Sequence, residues 1–234
     1  MMKSSIESIR KNFNEQVDRF SNVETGQATA IDSPLCMEIV AQSAKLLNPD
    51  SSQIMDLGCG GGNYAVKLAQ LFPNANFTLV DISENMLAEA QKRVSALTSG
   101  YVRVLNADYK TVDFGKENFD VITAGTTLHH LRNTDEWESM YGRIFDALKI
   151  GGSFFVNDIV IGETLELDNL MLDGWKSVLK KNVPDEVDVF LNKYETEDTP
   201  QTLMYQLDLM QQVGFSKISV LHKHFNFATF VGIK

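Results

Sequence analysis

Two hydrophobic periods alternate along the chain. At the start, Ile6, Ile9, Phe13, Val17 and Phe20 recur at three- and four-residue steps, which predicts an amphipathic helix. A second run of this kind, Met37 to Leu47, ends at the breaker Asn48-Pro49-Asp50. Beyond it, short apolar runs alternate with helical ones. Ile54–Leu57 predicts a strand, Tyr64–Phe72 a helix stopped by Pro73-Asn74, and Phe77–Asp81 the next strand. Met86, Leu87, Ala90, Val94 and Leu97 share one helical face, with Ser83 placed to cap it. Strands Val102–Leu105 and Phe119–Ala124 follow, then a helix Asp135–Leu148, the breaker Lys149-Ile150-Gly151-Gly152, and a strand Ser153–Asn157. Strands that read as near-continuous apolar runs between helices predict an α/β domain whose parallel sheet is covered on both faces.

The last fifth of the chain has a different pattern. Leu203, Leu207, Met210 and Val213 form a stripe that ends at Gly214, a helix terminator. Lys217–Leu221 and Phe225–Ile233 then predict two strands that close the sheet, the final one antiparallel. Residues 159–199 form an insertion far longer than the roughly 2–6 residues usual for such connections. It holds ten acids, four lysines and no arginine, together with Leu165, Leu170, Met171, Leu172, Trp175, Val178 and Leu179. That mixture predicts a helical lid. The expected organisation is one domain over 1–234, with an N-terminal helical cap over 1–50 and a lid over 159–199.

Bulk properties narrow the class. A chain of 234 residues suits one α/β domain, and 44% hydrophobic with 22% charged residues is ordinary for a globular protein. No run reaches bilayer length, and the first residues lack the apolar core of a secretory signal, so a cytoplasmic location without membrane contact is expected. Cys36 and Cys59 make no disulfide framework. The net charge of −10, with no basic stripe, disfavours nucleic acid as a partner. An amphipathic N-terminal segment suits a homodimer interface as well as a lid over its own site.

The chemistry begins at Asp56-Leu57-Gly58-Cys59-Gly60-Gly61-Gly62, which follows a strand and opens a helix. Glycines let a ligand approach the helix N-terminus, where free N–H groups favour polar oxygens. Gly60 to Ala65 also fits a dinucleotide fingerprint, but that register starts late. The acid that opens the turn, Asp56, repels a pyrophosphate and suits an ammonium. No Gly-Lys-Ser/Thr follows, which excludes a phosphate loop. S-adenosylmethionine has an amino-acid tail, a sulfonium and no phosphate. Asp81, ending the second strand, can accept both ribose hydroxyls. Asp108, beside Tyr109, can accept from the adenine amino group.

From Ser51 to Lys234 the chain resembles the class I S-adenosylmethionine-dependent methyltransferases. The resemblance is carried by Val80-Asp81-Ile82-Ser83-Glu84-Asn85-Met86-Leu87, the Asp108 turn, Phe119-Asp120-Val121-Ile122, Leu128-His129-His130-Leu131 and Leu148-Lys149-Ile150-Gly151-Gly152. It implies a Rossmann-like, seven-stranded, mostly parallel sheet with an antiparallel last strand. It also implies cofactor contacts from Asp56, Gly58, Cys59, Gly60, Gly62, Asp81, Ile82, Met86, Asp108 and Tyr109, with Ala124 and Gly125 beside the sulfonium and amino group. S-adenosylhomocysteine would be the product, and no metal is expected. His129 or His130 is placed to act as a general base, or else holds structure by hydrogen bonding. Phe13, Phe20, Asp158, Met171, Trp175 and Tyr205 are expected around a small-molecule acceptor beneath the lid.

The tail narrows the resemblance further. Thr199-Pro200, Leu209–Phe215 and His224-Phe225-Asn226-Phe227 resemble the carboxy-S-adenosylmethionine synthases of tRNA wobble-uridine modification. Those enzymes transfer a carboxyl group rather than a methyl group and rely on a lid arginine to hold it. Here residues 159–199 offer only lysines, which lack the planar fork for a carboxylate. Methyl transfer to a small molecule is therefore the leading expectation, with the synthase reaction as the alternative.

Overall fold

Strands β1 (Gln53–Leu57), β2 (Asn76–Asp81), β3 (Val102–Asn106), β4 (Phe119–Gly125), β5 (Leu148–Ile159), β6 (Lys217–His224) and β7 (Phe227–Ile233) form one sheet. The computed structural model describes residues 3–22 and 28–234, apart from the side chains of Asp18 and Phe20. The strand order is β3-β2-β1-β4-β5-β7-β6. Neighbours from β3 through β5 are parallel, and β7 runs antiparallel to both β5 and β6.

Alternation along the strands explains the two-sided burial. Ile54, Phe77, Leu79 and Val121 point to one face, where they pack on α3 (Ser33–Leu47), α4 (Asn63–Leu71) and α5 (Glu84–Ser95). Met55, Leu57, Val80 and Ile122 point to the other, against α6 (Thr134–Ala147) and α9 (Leu203–Val213). Trp137, Met140, Tyr141 and Ile144 of α6 are buried there with Leu209 and Met210 of α9. Each large apolar side chain so buried contributes about 1.5–3 kcal/mol relative to exposure. The sheet order reverses between β1 and β4, and a crevice opens at the carboxyl ends of strands at such a point.

Helix caps follow the local sequence. Ser83 Oγ accepts from the Met86 amide at 3.2 Å to start α5, and Thr202 does the same for Tyr205 at the head of α9. Gly214 terminates α9 at φ 116°. Other boundaries differ from the sequence expectation. The N-terminal helix breaks at Gln16 into α1 (Ile6–Glu15) and α2 (Val17–Ser21). No loop separates α6 from β5, because Leu148 already pairs with Phe119 before a register shift. The final strand starts at Phe227, because Phe225 is left-handed at φ 46° and turns the hairpin. Residues 165–197 form α7 (Leu165–Asn182), a 3-10 turn at Pro184–Glu186 and α8 (Val187–Glu197). Trp175, Leu179 and Phe190 from these helices are buried with Ala30, Ile31, Ile159 and Phe227, apart from the two main layers. Among the described residues no helix is long and apolar enough to cross a membrane.

Gly58 shows how tightly the carboxyl edge is built. It sits at φ 59°, and a Cβ there would collide with Thr127 Oγ1. Gly58→Ala is therefore expected to lower unfolding stability by about 1–3 kcal/mol in urea titrations, from left-handed strain plus displacement of Thr127.

Candidate active site

The turn after β1 carries Asp56 into the crevice, where it is 1% exposed. Its Oδ1 accepts from Thr123 Oγ1 at 2.7 Å, whereas Oδ2 is buried without a hydrogen bond of sound geometry. Burial pushes this carboxyl up to about 7, against the Thr123 hydroxyl and the Ala65 amide, and the nearby charge of Asp81 adds to the rise. An orphaned acceptor in such a place calls for a cation. Gly60, at φ 51°, has open space where a Cβ would stand, so backbone alone faces the cleft there.

Asp81 is held from both sides. Its Oδ2 accepts the Gly60 amide and its Oδ1 the Ser83 amide, each at 2.8 Å. Both oxygens keep a second lone pair, which suits two neighbouring hydroxyl donors. Burial raises this carboxyl, and the two backbone amides oppose the shift. Asp108 Oδ1 accepts from the Lys110 amide at 2.9 Å, and Tyr109 donates to the Thr127 carbonyl at 2.9 Å. These side chains surround a cleft that also takes in Tyr64, Thr127, His130 and Arg132.

Helix α1 covers that cleft with Ile6, Ile9 and Phe13. It is anchored at both ends. Asn14 Oδ1 accepts from Ser83 Oγ at 2.6 Å, fixing α1 to the head of α5. The Ser4 amide donates to the Thr196 carbonyl at 2.9 Å, and Asn12 Nδ2 donates to Glu197 Oε1 at 3.3 Å, tying α1 to α8.

A second cavity lies on the far side of Phe13. Trp175, Phe190, Tyr194 and Phe227 give it aromatic walls, and Lys193, Glu197 and Asp198 add charge. The two cavities share Phe13, Thr126 and His130. Thr126 is itself left-handed at φ 50°, a strained position at the junction.

The two histidines are unlike each other. His129 is 6% exposed, and its Nδ1 lies 2.5 Å from Asp158 Oδ1. Its Nε2 lies 3.6 Å from Asp198 Oδ1. Burial lowers its basicity, but the charges of Asp158 and Asp198 outweigh that and raise it to about 9. It is thus an imidazolium at neutral pH and cannot accept a proton there. His130 Nδ1 is buried without a hydrogen bond, 3.4 Å from Asp198 Oδ1, and its ring meets Phe13 edge-on.

The structure gathers Asp56, Gly58, Cys59, Gly60, Asp81, Ile82, Met86, Asp108, Tyr109 and Gly125 on one cleft with Phe13 and His130. Gly62 caps α4 and packs toward Ala90 instead, and Ala124 is enclosed within the sheet. Trp175 lines the second cavity. Three residues expected around the acceptor line neither space. Asp158 is committed to His129, Met171 packs its sulfur on Lys223, and Tyr205 meets Trp137 edge-on in the α6–α9 layer. The Phe20 side chain lies outside the described residues. Gln16, Arg132, Phe190, Tyr194 and Glu197 also line these spaces, and no local sequence motif marks them out.

Comparison with known proteins fits this geometry. Residues 54–152 match the methyltransferase domain family. A carboxy-S-adenosyl-L-methionine synthase of Nautilia profundicola is 27% identical over 187 residues, 79% of this chain and 78% of that protein. A Methanococcus maripaludis structure described as an S-adenosyl-L-methionine-dependent methyltransferase superposes with a TM-score of 0.61 at 15% identity, covering 100% of this chain and 97% of that one. Phosphoethanolamine N-methyltransferase 2 of Haemonchus contortus, in complex with phosphomonomethylethanolamine and S-adenosylhomocysteine, gives a TM-score of 0.63 at 18% identity. That match covers 95% of this chain and 60% of the other. At such identities the structural likeness establishes the fold.

Proposed function

We propose, from the match of residues 54–152 to the methyltransferase domain family, that the chain uses S-adenosylmethionine to methylate a small molecule held in the second cavity. The observation that carries this reading is the junction: the cofactor cleft and the aromatic cavity meet at Phe13, Thr126 and His130. When bound, the cofactor supplies an electrophilic methyl group. The protein's task is then to align a nucleophile and keep water out, which can contribute roughly 7–11 kcal/mol.

The residues present fit the cofactor. Asp56 Oδ2 is the buried acceptor for an ammonium, Asp81 serves a ribose, and Asp108 serves the adenine. Arg132 is the guanidinium bordering the same cleft and offers a counter-charge for the amino-acid carboxylate. The α1–α2 segment and α7–α8 act as cap and lid. In the acceptor cavity Glu197 and Asp198 favour a neutral or cationic molecule over a highly anionic one. His130 is the group placed to take a proton from the acceptor, with the Asp198 carboxylate 3.4 Å from its Nδ1.

S-adenosylhomocysteine should bind with a micromolar or tighter dissociation constant in calorimetric titration; absence of binding at high micromolar concentration removes the reading. His130→Ala should keep that affinity and lower turnover on the identified acceptor by about 10²–10⁴-fold. Equal loss of cofactor affinity would instead make His130 part of the cofactor site.

The relative from Nautilia favours a second reading, carboxy-S-adenosylmethionine synthesis. The lid residues 159–199 contain no arginine, so a carboxylate there would have to use Lys193. Arg19, stacked on Phe190 at 4.6 Å, brings a guanidinium from α2 to the same region. Mass spectrometry of the ligand carried through purification separates the two reactions: a carboxylated cofactor supports synthesis, and the plain cofactor or S-adenosylhomocysteine supports methyl transfer.

A further inference from the structure

We propose that Asp32, His222 and His224 form a binding site for a divalent transition-metal ion at the edge of the sheet, outside both cavities. Asp32 Oδ2 lies 3.0 Å from His222 Nε2 and 2.7 Å from His224 Nδ1. The three atoms all lie within 4.8 Å of one another. Donors bonded to one ion at about 2.0–2.2 Å stand roughly 3.0–3.5 Å apart, so small outward shifts would admit the metal.

The arrangement is built rather than incidental. His222 and His224 are two apart on β6, so strand alternation sends both imidazoles to one face. The register of β6 against β7 shifts between Val220 and His222, an irregularity that re-aims the side chains after it. Asp32 reaches the pair from the turn before α3 with φ 53°, and Phe225 is also left-handed, at φ 46°. The Phe225 ring stacks on His224 with centroids 4.8 Å apart and fixes its plane. Such backbone conformations cost energy in non-glycine residues. Here two of them, at Asp32 and Phe225, flank the histidine pair. Both imidazoles hydrogen-bond the same carboxylate oxygen, so the three donor atoms already stand side by side.

Two imidazoles and one carboxylate suit zinc, cobalt, nickel or copper better than magnesium or calcium. The site opens to solvent, which leaves positions for water. Binding would displace the protons now shared with Asp32 from His222 Nε2 and His224 Nδ1. The ion would also steady the acceptor cavity. Asp32 follows residues whose carbonyls hold the lid: Ala28 accepts from Asn182 and Thr29 from Trp175 Nε1. Thr29 and Ala30 line the second cavity, so pinning Asp32 to the sheet edge pins one of its walls.

The test is calorimetric titration of the untagged, chelator-treated full chain with zinc sulfate and, separately, magnesium chloride. One zinc per chain with micromolar or tighter affinity is expected, with no magnesium binding. At a hundredfold excess over the dissociation constant, the thermal midpoint should rise by roughly 5–10 °C. His224→Ala and Asp32→Asn should each weaken zinc binding at least tenfold and leave S-adenosylhomocysteine affinity unchanged. No saturable zinc binding overturns the proposal. So does a site that survives both substitutions, which would put the ion on His129, His130 and Asp198 instead.

Discussion

Replacing Asp56 by asparagine is expected to weaken S-adenosylhomocysteine binding by about 100-fold or more, because removing one partner of a buried, hydrogen-bonded charge pair costs about 2–5 kcal/mol. The side chain is enclosed, its Oδ1 is taken by Thr123, and its Oδ2 makes no hydrogen bond of sound geometry among the described residues. Burial pushes the free carboxyl up to about 7, and a cofactor ammonium pulls it back down. Binding therefore selects the ionised form. Below pH 7 it must expel a proton, so affinity falls about tenfold for each further unit of acid, and above pH 7 it levels off. The asparagine variant should lose this dependence along with the affinity.

Stability of the cofactor-free protein provides an opposing readout. A carboxyl raised in the folded state penalises folding once it ionises. The penalty is absent below the unfolded value near 4, grows as pH rises from there to about 7, and is constant beyond. Asp56→Asn should thus make the cofactor-free protein more stable at pH 8, by up to about 4 kcal/mol, while making the ligand worse at stabilising it. Denaturant titrations with and without S-adenosylhomocysteine measure both. A variant that is less stable without ligand would show that Asp56 supports the fold and is not held for a cation.

The parts of this site legible in the sequence are those positioned by local structure. Asp56, Asp81 and Asp108 each end a strand or sit just beyond one, so the alternation that predicts the sheet also aligns them along its carboxyl edge. The acceptor side has no such local rule. Phe190, Tyr194 and Glu197 reach their cavity only because α8 packs beside α1 and the turn before α3, far away in sequence. Tyr205 lies in the α6–α9 layer and not at the acceptor for a related reason. A helical stripe shows that one face is buried without saying against what, and α9 lies on α6. The histidine pair was ambiguous because the groups that separate the two roles, Asp158 and Asp198, come from the end of β5 and from just past α8. Likewise, His222-x-His224 has little meaning until the turn at Asp32 lies beside it.

The other large effect should come from Asp158, which touches neither cavity. Asp158→Ala is expected to cost about 3–5 kcal/mol of unfolding stability, the penalty for leaving one member of a buried ion pair without the other. Asp158 is fully buried and holds His129 through both the ring nitrogen, at 2.5 Å, and the backbone amide, at 3.2 Å. The pH dependence identifies the cause. Asp158 and Asp198 raise His129 to about 9 despite its burial, against 6.5 for a free histidine. The stability this contributes is fully present below pH 6.5 and is lost as pH rises through 9. The wild-type protein should therefore lose roughly 3 kcal/mol between those limits. Asp56 adds no slope above pH 7, so the upper part of that window belongs to the histidine. In Asp158→Ala the slope should flatten, because Asp198, at 3.6 Å, is a weaker partner. A loss of stability with the wild-type slope intact would mean that packing around Asp158, and not its charge, is what the fold needs.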